Sequence, residues 1–148
     1  MPPTPAITPR QAYAPEIAQA RETDFFVHTI EVLPLTANAV GQTASVQISD
    51  DGGFLITGIS AIVTLVDNTT NQAFWPITIE LLDSASGRYF GDKPIHLQNL
   101  AGSAQLPYNL TRPKPISRAT AISARLNNLS ATAFNVRLSL HGIKLYGR

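Results

Sequence analysis

Three histidines, a few carboxylates and one short basic loop are the groups in this chain whose chemistry could matter. His28, His96 and His141 are the candidate bases. A hydrolytic triad would need one of them beside a hydroxyl nucleophile and an orienting acid. None lies in a nucleophile motif, and Gly-x-Ser-x-Gly does not occur. His28 and His141 fall within strand-like segments, where a histidine is a surface or interface residue far more often than a base. No two histidines share a metal-ligand spacing, and Asp50-Asp51-Gly52-Gly53 lacks the alternating oxygen ligands of a calcium loop. Glu80 and Asp83 would serve glycoside hydrolysis only if the fold held them at the required separation. Arg112-Pro113-Lys114-Pro115-Ile116-Ser117-Arg118 gathers three cations around two prolines. It reads as a rigid solvated loop entering a strand, with phosphate or carbohydrate contact as the alternative. Trp75, Tyr89, Tyr108 and Tyr146 are suited either to stacking on sugars or to filling a core or protein interface. The expectation is a protein without catalytic residues, metal or cofactor.

The elements that would position these groups are strands. From Phe25 onward, segments of strand periodicity alternate with turn signals, as in a sandwich or barrel. Phe25 to Leu33 is rich in β-formers, with Pro34 expected to end it. Gln42 to Ile48 follows, closed by Ser49 to Gly53, whose Asp-Gly and Gly-Gly steps predict a hairpin turn. Phe54 to Val66 reads as one long apolar strand, with Gly58 marking a bulge or bend. Phe74 to Leu82 places Trp75, Ile77, Ile79 and Leu81 on one face and Thr78 and Glu80 on the other. Pro76 inside that run predicts an edge strand or a local break.

The region holding Pro94, Pro107, Pro113 and Pro115 predicts loops and short strands. Ile122, Ala124 and Leu126 alternate with Ser123 and Arg125, and Phe134, Val136, Leu138 and Leu140 alternate with polar residues. The parity then flips to Ile143 and Leu145, and a bulge at Gly142 would restore the register. The expected fold is all-β, a jelly roll or two-sheet antiparallel sandwich of seven or eight strands. The Asn-x-Ser/Thr triplets at Asn68, Asn109 and Asn128 predict turns.

Residues 1–24 differ in character. Pro2, Pro3, Pro5, Pro9 and Pro15 crowd the opening stretch, and proline there favours extended, sheet-incompatible backbone. Two domains in the loose sense follow: a proline-rich N-terminal arm, 1–24, and a sandwich, 25–148. The arm is either a disordered tail or a segment that orders against a neighbouring subunit, with Pro5, Pro9, Tyr13 and Ile17 as its candidate contacts. Within the long strand, Ile59, Ile62, Val63 and Leu65 make both faces apolar. This predicts either a central strand covered by its own chain or a strand buried against another subunit.

Composition narrows the function classes. Charged residues make up 14% of the 148 positions, against about 25% in an average domain, and uncharged polar residues take their place. Such a surface suits contact with other proteins. The formal net charge of +1, without a basic stripe, lacks the footprint of nucleic-acid binding and disfavours an anionic membrane surface. With no cysteine, disulfides and thiolate chemistry are excluded. No basic segment precedes an apolar run at the N-terminus, so the expectation is a protein without a secretory signal that matures in the cytoplasm where it is made.

The stretch Phe54 to Tyr146 resembles small structural proteins of tailed bacteriophages. The resemblance runs through Phe54-Leu55-Ile56-Thr57-Gly58-Ile59-Ser60, Ile77-Thr78-Ile79-Glu80-Leu81-Leu82-Asp83, Ser86-Gly87-Arg88 and Leu110-Thr111-Arg112-Pro113. It continues through Ile122 to Ser130 and closes on Val136-Arg137-Leu138-Ser139-Leu140-His141-Gly142-Ile143-Lys144-Leu145-Tyr146. It implies a jelly-roll capsid decoration (cement) protein on the virion exterior, bound to the major capsid protein, with a homo-oligomer (dimer or trimer) expected. A neck, tail or fibre-attachment component is the alternative, and a carbohydrate-binding jelly roll a third. No catalytic residue is carried over by the resemblance.

Overall fold

A computed structural model describes residues 22–103 and 106–147. Among the described residues there are nine strands: β1 (Glu22–Leu35), β2 (Gln42–Gln47), β3 (Gly52–Leu65), β4 (Ile77–Asp83), β5 (Arg88–Tyr89), β6 (Ile95–His96), β7 (Tyr108–Ile116), β8 (Ala121–Asn128) and β9 (Phe134–Tyr146). One helical turn, Leu97–Leu100, follows β6. A four-stranded antiparallel sheet has the order β1-β9-β3-β7, and a second has the order β2-β8-β4-β5, with β6 also paired to β4. If β5 and β6 are taken as one interrupted strand, successive strands alternate between the two sheets except after β4, which turns back on β5–β6 within the second sheet. Strands from opposite ends of the chain become neighbours, β1 with β9 and β2 with β8. That is jelly-roll connectivity.

Alternating side chains put one row of each strand between the sheets. Ile77, Ile79 and Leu81 of β4 face Phe134, Val136, Leu138 and Leu140 of β9 across a core that also takes Ile122, Ala124 and Leu126 of β8. Each large apolar side chain so buried contributes about 1.5–3 kcal/mol.

The structure departs from the sequence expectations at Pro34, at Gly52-Gly53 and at Asn109, and at Pro76 it selects the local break over the edge. β1 continues through Pro34 to Leu35, with a register irregularity between Val32 and Leu35. Gly52 and Gly53 make no hairpin: β2 and β3 lie in different sheets, and both glycines belong to β3. Their role is close approach, since a Cβ on Gly52 would strike the Leu145 carbonyl. The strand after Trp75 starts at Ile77, beyond Pro76, and β4 is internal, so the proline marks a break and no edge. Asn109 pairs with Gly58 inside β7, where a turn was expected.

Of the two irregularities expected, the one marked by Gly58 is present and the one at Gly142 is not. β1 and β9 pair without interruption from Phe25↔Ile143 to Val27↔His141, so Gly142 carries no extra residue. The irregularity lies in β3 between Ile56 and Gly58, against both β7 and β9. Phe54 and Ile56 therefore face the core before Thr57, and Ile59, Ala61 and Val63 face it afterwards. In β9 the parity change stands unrepaired. Ile143 and Leu145 occupy the outer face of the four-stranded sheet, where they form a second small cluster with Leu55.

Candidate functional site

Among the described residues, the closest approach to a nucleophile–base pair is on β3 and β9. Ser60 and His141 face outward from the four-stranded sheet, and Ser60 Oγ and His141 Nε2 share a hydrogen bond of 2.7 Å. Ser60 is buried and His141 half-buried. No carboxylate of the described residues hydrogen-bonds His141, and Ser60 sits within a regular strand, away from any exposed turn. The pair ties two neighbouring strands together. His28 faces the other way, into the core end of the sheet. There its ring stacks edge-on to Phe54 at 4.6 Å and tilted to Phe26 at 4.8 Å. Burial pushes its pKa down from 6.5, and the Lys144 ammonium pushes in the same direction. Its Nε2 has no hydrogen-bond partner among the described residues.

Lys144 closes this end of the sandwich. Its ammonium pairs with Asp51 at 3.2 Å and lies over the rings of Phe26 and Tyr146, at 4.9 and 5.2 Å. Lys144 is buried, and the Asp51 carboxylate it meets is exposed. His96 is exposed beside the helical turn. The three histidines thus lie apart. Among the described residues no three of His, Cys, Asp and Glu assemble as a metal site. Glu80 and Asp83 alternate to opposite faces of β4. Glu80 lies opposite Arg125, and Asp83 caps the following turn by accepting from the Ala85 amide and the Ser86 hydroxyl.

Two grooves on the surface of the described residues bear on function. One, of about 680 Å³, lies where β3 meets the loop around Gly102, between Ile62, Trp75 and Leu106. Trp75 itself is buried, its indole N–H donating to the Gln72 carbonyl at 2.8 Å. The other, of about 540 Å³, lies between β7 and the β5–β6 segment. Tyr89 and Tyr108 both line it and both remain largely exposed. Arg112 and Lys114 reach it from β7, so the predicted basic loop is an edge strand whose prolines cost the sheet no interior hydrogen bond.

The expected interface residues divide. Pro5, Pro9, Tyr13 and Ile17 lie outside the described residues. Ile59 and Val63 are fully covered by the chain's own second sheet, and Leu65 packs half-buried against the same core. Ile62 alone of the four stands on the outer face, 44% exposed. The structure adds Phe25, 69% exposed on that face, which the strand pattern alone could not distinguish from a core residue.

From β1 to β3 the outer face carries Phe25 beside Ile143, then Val27 beside His141, then Thr29 beside Ser139 and Ser60. Its one ion pair among the described residues is Glu31–Arg137, at 3.9 Å. β1 is an edge: no other described strand of that sheet pairs with its free side. A long edge of this kind is a template for another chain. No described helix is long and apolar enough to cross a membrane. Comparison of the chain with protein-family models, with curated proteins and with solved structures finds no match in any of the three.

Proposed function

We propose that this chain is a non-enzymatic structural protein of a tailed-bacteriophage virion, a capsid decoration protein that binds the assembled major capsid lattice as a small oligomer. The observation that carries the reading is the outer face of the four-stranded sheet. It presents Phe25 beside Ile143, and Ile62 beside the Glu31–Arg137 pair, with Thr29, Ser60 and Ser139 between them, and it ends in the edge of β1, with which no further described strand pairs. A face built this way is suited to docking on protein. The phage-like pattern of β3, β4, β8 and β9 supplies the setting.

The mechanism is mass action. A protein that binds the assembled lattice and not its free subunits stabilises assembly by RT ln(1 + [L]/Kd) at each site. With few charges on the face, salt screening has little to weaken. The test is co-sedimentation of the full chain with purified capsid shells and with dissociated capsid subunits. The chain is expected to pellet with shells, and to stay bound at about 1 M salt, where charge interactions reach only about 3 Å. Release from shells at that salt, or no binding to shells at all, would overturn the reading.

A further inference from the structure

The groove between β7 and the β5–β6 segment has features that docking on a lattice does not use. Its floor is apolar, built from Phe90, Ile95, Leu100 and Leu110 at the open side of the sandwich. Its rim holds two tyrosines, 56% and 44% exposed, contributed by strands of different sheets. Two cations line it and no carboxylate does. Lys114 is already engaged, its ammonium 4.6 Å from the Phe90 ring centroid, where it holds the wall of the groove. Arg112 is exposed, and no carboxylate of the described residues pairs with it. Asn99 adds an amide at the end of the helical turn.

We infer that this groove is a carbohydrate site for an oligosaccharide that bears a carboxylate. Tyr89 and Tyr108 are its stacking platforms, and Arg112 is the partner of the acid group. A pyranose has an apolar C–H face that lies on an aromatic ring, while its hydroxyls reach outward to amides and hydroxyls. The tyrosines supply the first surface, and Asn99 and Thr111 supply the second. The planar guanidinium binds a carboxylate through two parallel hydrogen bonds, a geometry lysine does not offer. The volume of about 540 Å³ lies within the usual range for small-ligand sites, about 300–1,000 Å³. The charge pattern favours an anionic ligand over a basic peptide. Two cations in a chain of net charge +1 are too few to neutralise a run of phosphates. This inference does not depend on the virion reading and stands if that reading fails.

The test is a glycan array probed with the full chain, carrying uronate- and sialate-bearing glycans together with their carboxyl-reduced counterparts. Titration of the best binder, followed by ring-proton NMR of the tyrosines, completes it. Binding is expected for acidic glycans over their reduced forms. Tyr89→Ala, Tyr108→Ala and Arg112→Gln should each weaken it about tenfold or more, as expected for aromatic and arginine anchors. Phe74→Ala, at an exposed aromatic that does not line the groove, should leave it unchanged. All four positions are exposed enough for the variants to fold, which a thermal melt checks. The inference is overturned if no acidic glycan binds, or if reduced and acidic forms bind equally. Groove variants that bind like the parent would overturn it too, as would an aromatic groove that takes a proline-rich peptide of residues 1–10 in place of any glycan.

Discussion

Gly142→Ala tests the strand register through a single methyl group. Gly142 lies in β9, which is held on both sides by β1 and β3. A Cβ there would overlap the Leu55 carbonyl of β3 and come within 2.8 Å of the Phe54 ring. Neither neighbour can retreat cheaply. The carbonyl belongs to an internal strand, and the Phe54 ring is fully buried against His28. Overpacking of this kind costs about 1–3 kcal/mol, and replacing a strand glycine by alanine offsets about 0.5–1 kcal/mol through lost unfolded-state freedom. Because the overlap is with backbone, the cost falls in the upper half of that range, and the net expectation is a loss of about 1–2.5 kcal/mol, or a Tm lower by about 2–10 °C for a domain of this size. Urea unfolding followed by tryptophan fluorescence and far-UV circular dichroism reads it as a lower midpoint at unchanged slope. If β9 instead carried a bulge at Gly142, the added methyl would leave the position that overlaps the Leu55 carbonyl. An unchanged or raised midpoint would therefore refute the placement of the irregularity at Thr57.

Acid should weaken the fold through His28. Burial and Lys144 depress its pKa below 6.5, so the unfolded chain takes up a proton that the folded chain refuses. Stability is then full above about pH 6.5 and falls as pH drops through that value, until the folded-state pKa is passed. His28→Phe should flatten this dependence in urea titrations between neutral and mildly acidic pH, and an identical slope in the variant would contradict the assignment. Phe25→Ser with Ile62→Ser should abolish sedimentation with shells while moving the unfolding midpoint by no more than about 0.5 kcal/mol per site, the usual range for surface changes. Retained sedimentation would exclude the outer sheet face. Ser60→Ala should cost about 0.5–1.5 kcal/mol by removing the bond to His141 and change no ester-hydrolysis rate measured against buffer. Asp67 is held at a pKa of about 2, chiefly by the Thr70 hydroxyl and then by the Thr70 and Thr69 amides. Asp67→Ala should speed amide exchange at both threonines, and unchanged exchange would show that the turn does not depend on the carboxylate.

Where a strand has one face on the core and one on solvent, its alternation is legible in the residues. Ile122, Ala124 and Leu126 against Ser123 and Arg125, and Ile77, Ile79 and Leu81 against Thr78 and Glu80, fall as their pattern predicts. β3 is harder because it is apolar on both faces around the irregularity. Gly58 marked the irregularity in β3 correctly, whereas the parity change after Gly142 suggested a second bulge that the uninterrupted pairing with β1 does not contain. The Gly52-Gly53 step carries turn chemistry in isolation but is used here for close packing of backbones, a demand set by a strand from the other end of the chain. Pro34 and Pro76 likewise take their meaning from neighbours. The groove at Tyr89 and Tyr108 was least legible, because the two residues meet only once β5 and β7 are placed in opposite sheets. The aromatic types were a signal that sugar contact was feasible; their convergence was not written in any local pattern.

A count of copies settles the role most directly. Virions purified from cells that express this chain, with its amount measured by quantitative mass spectrometry relative to the major capsid protein, should contain it at a stoichiometry that follows the lattice, amounting to hundreds per particle. A dozen copies or fewer would move it to the neck or tail, and its absence from particles would contradict a structural role in the virion.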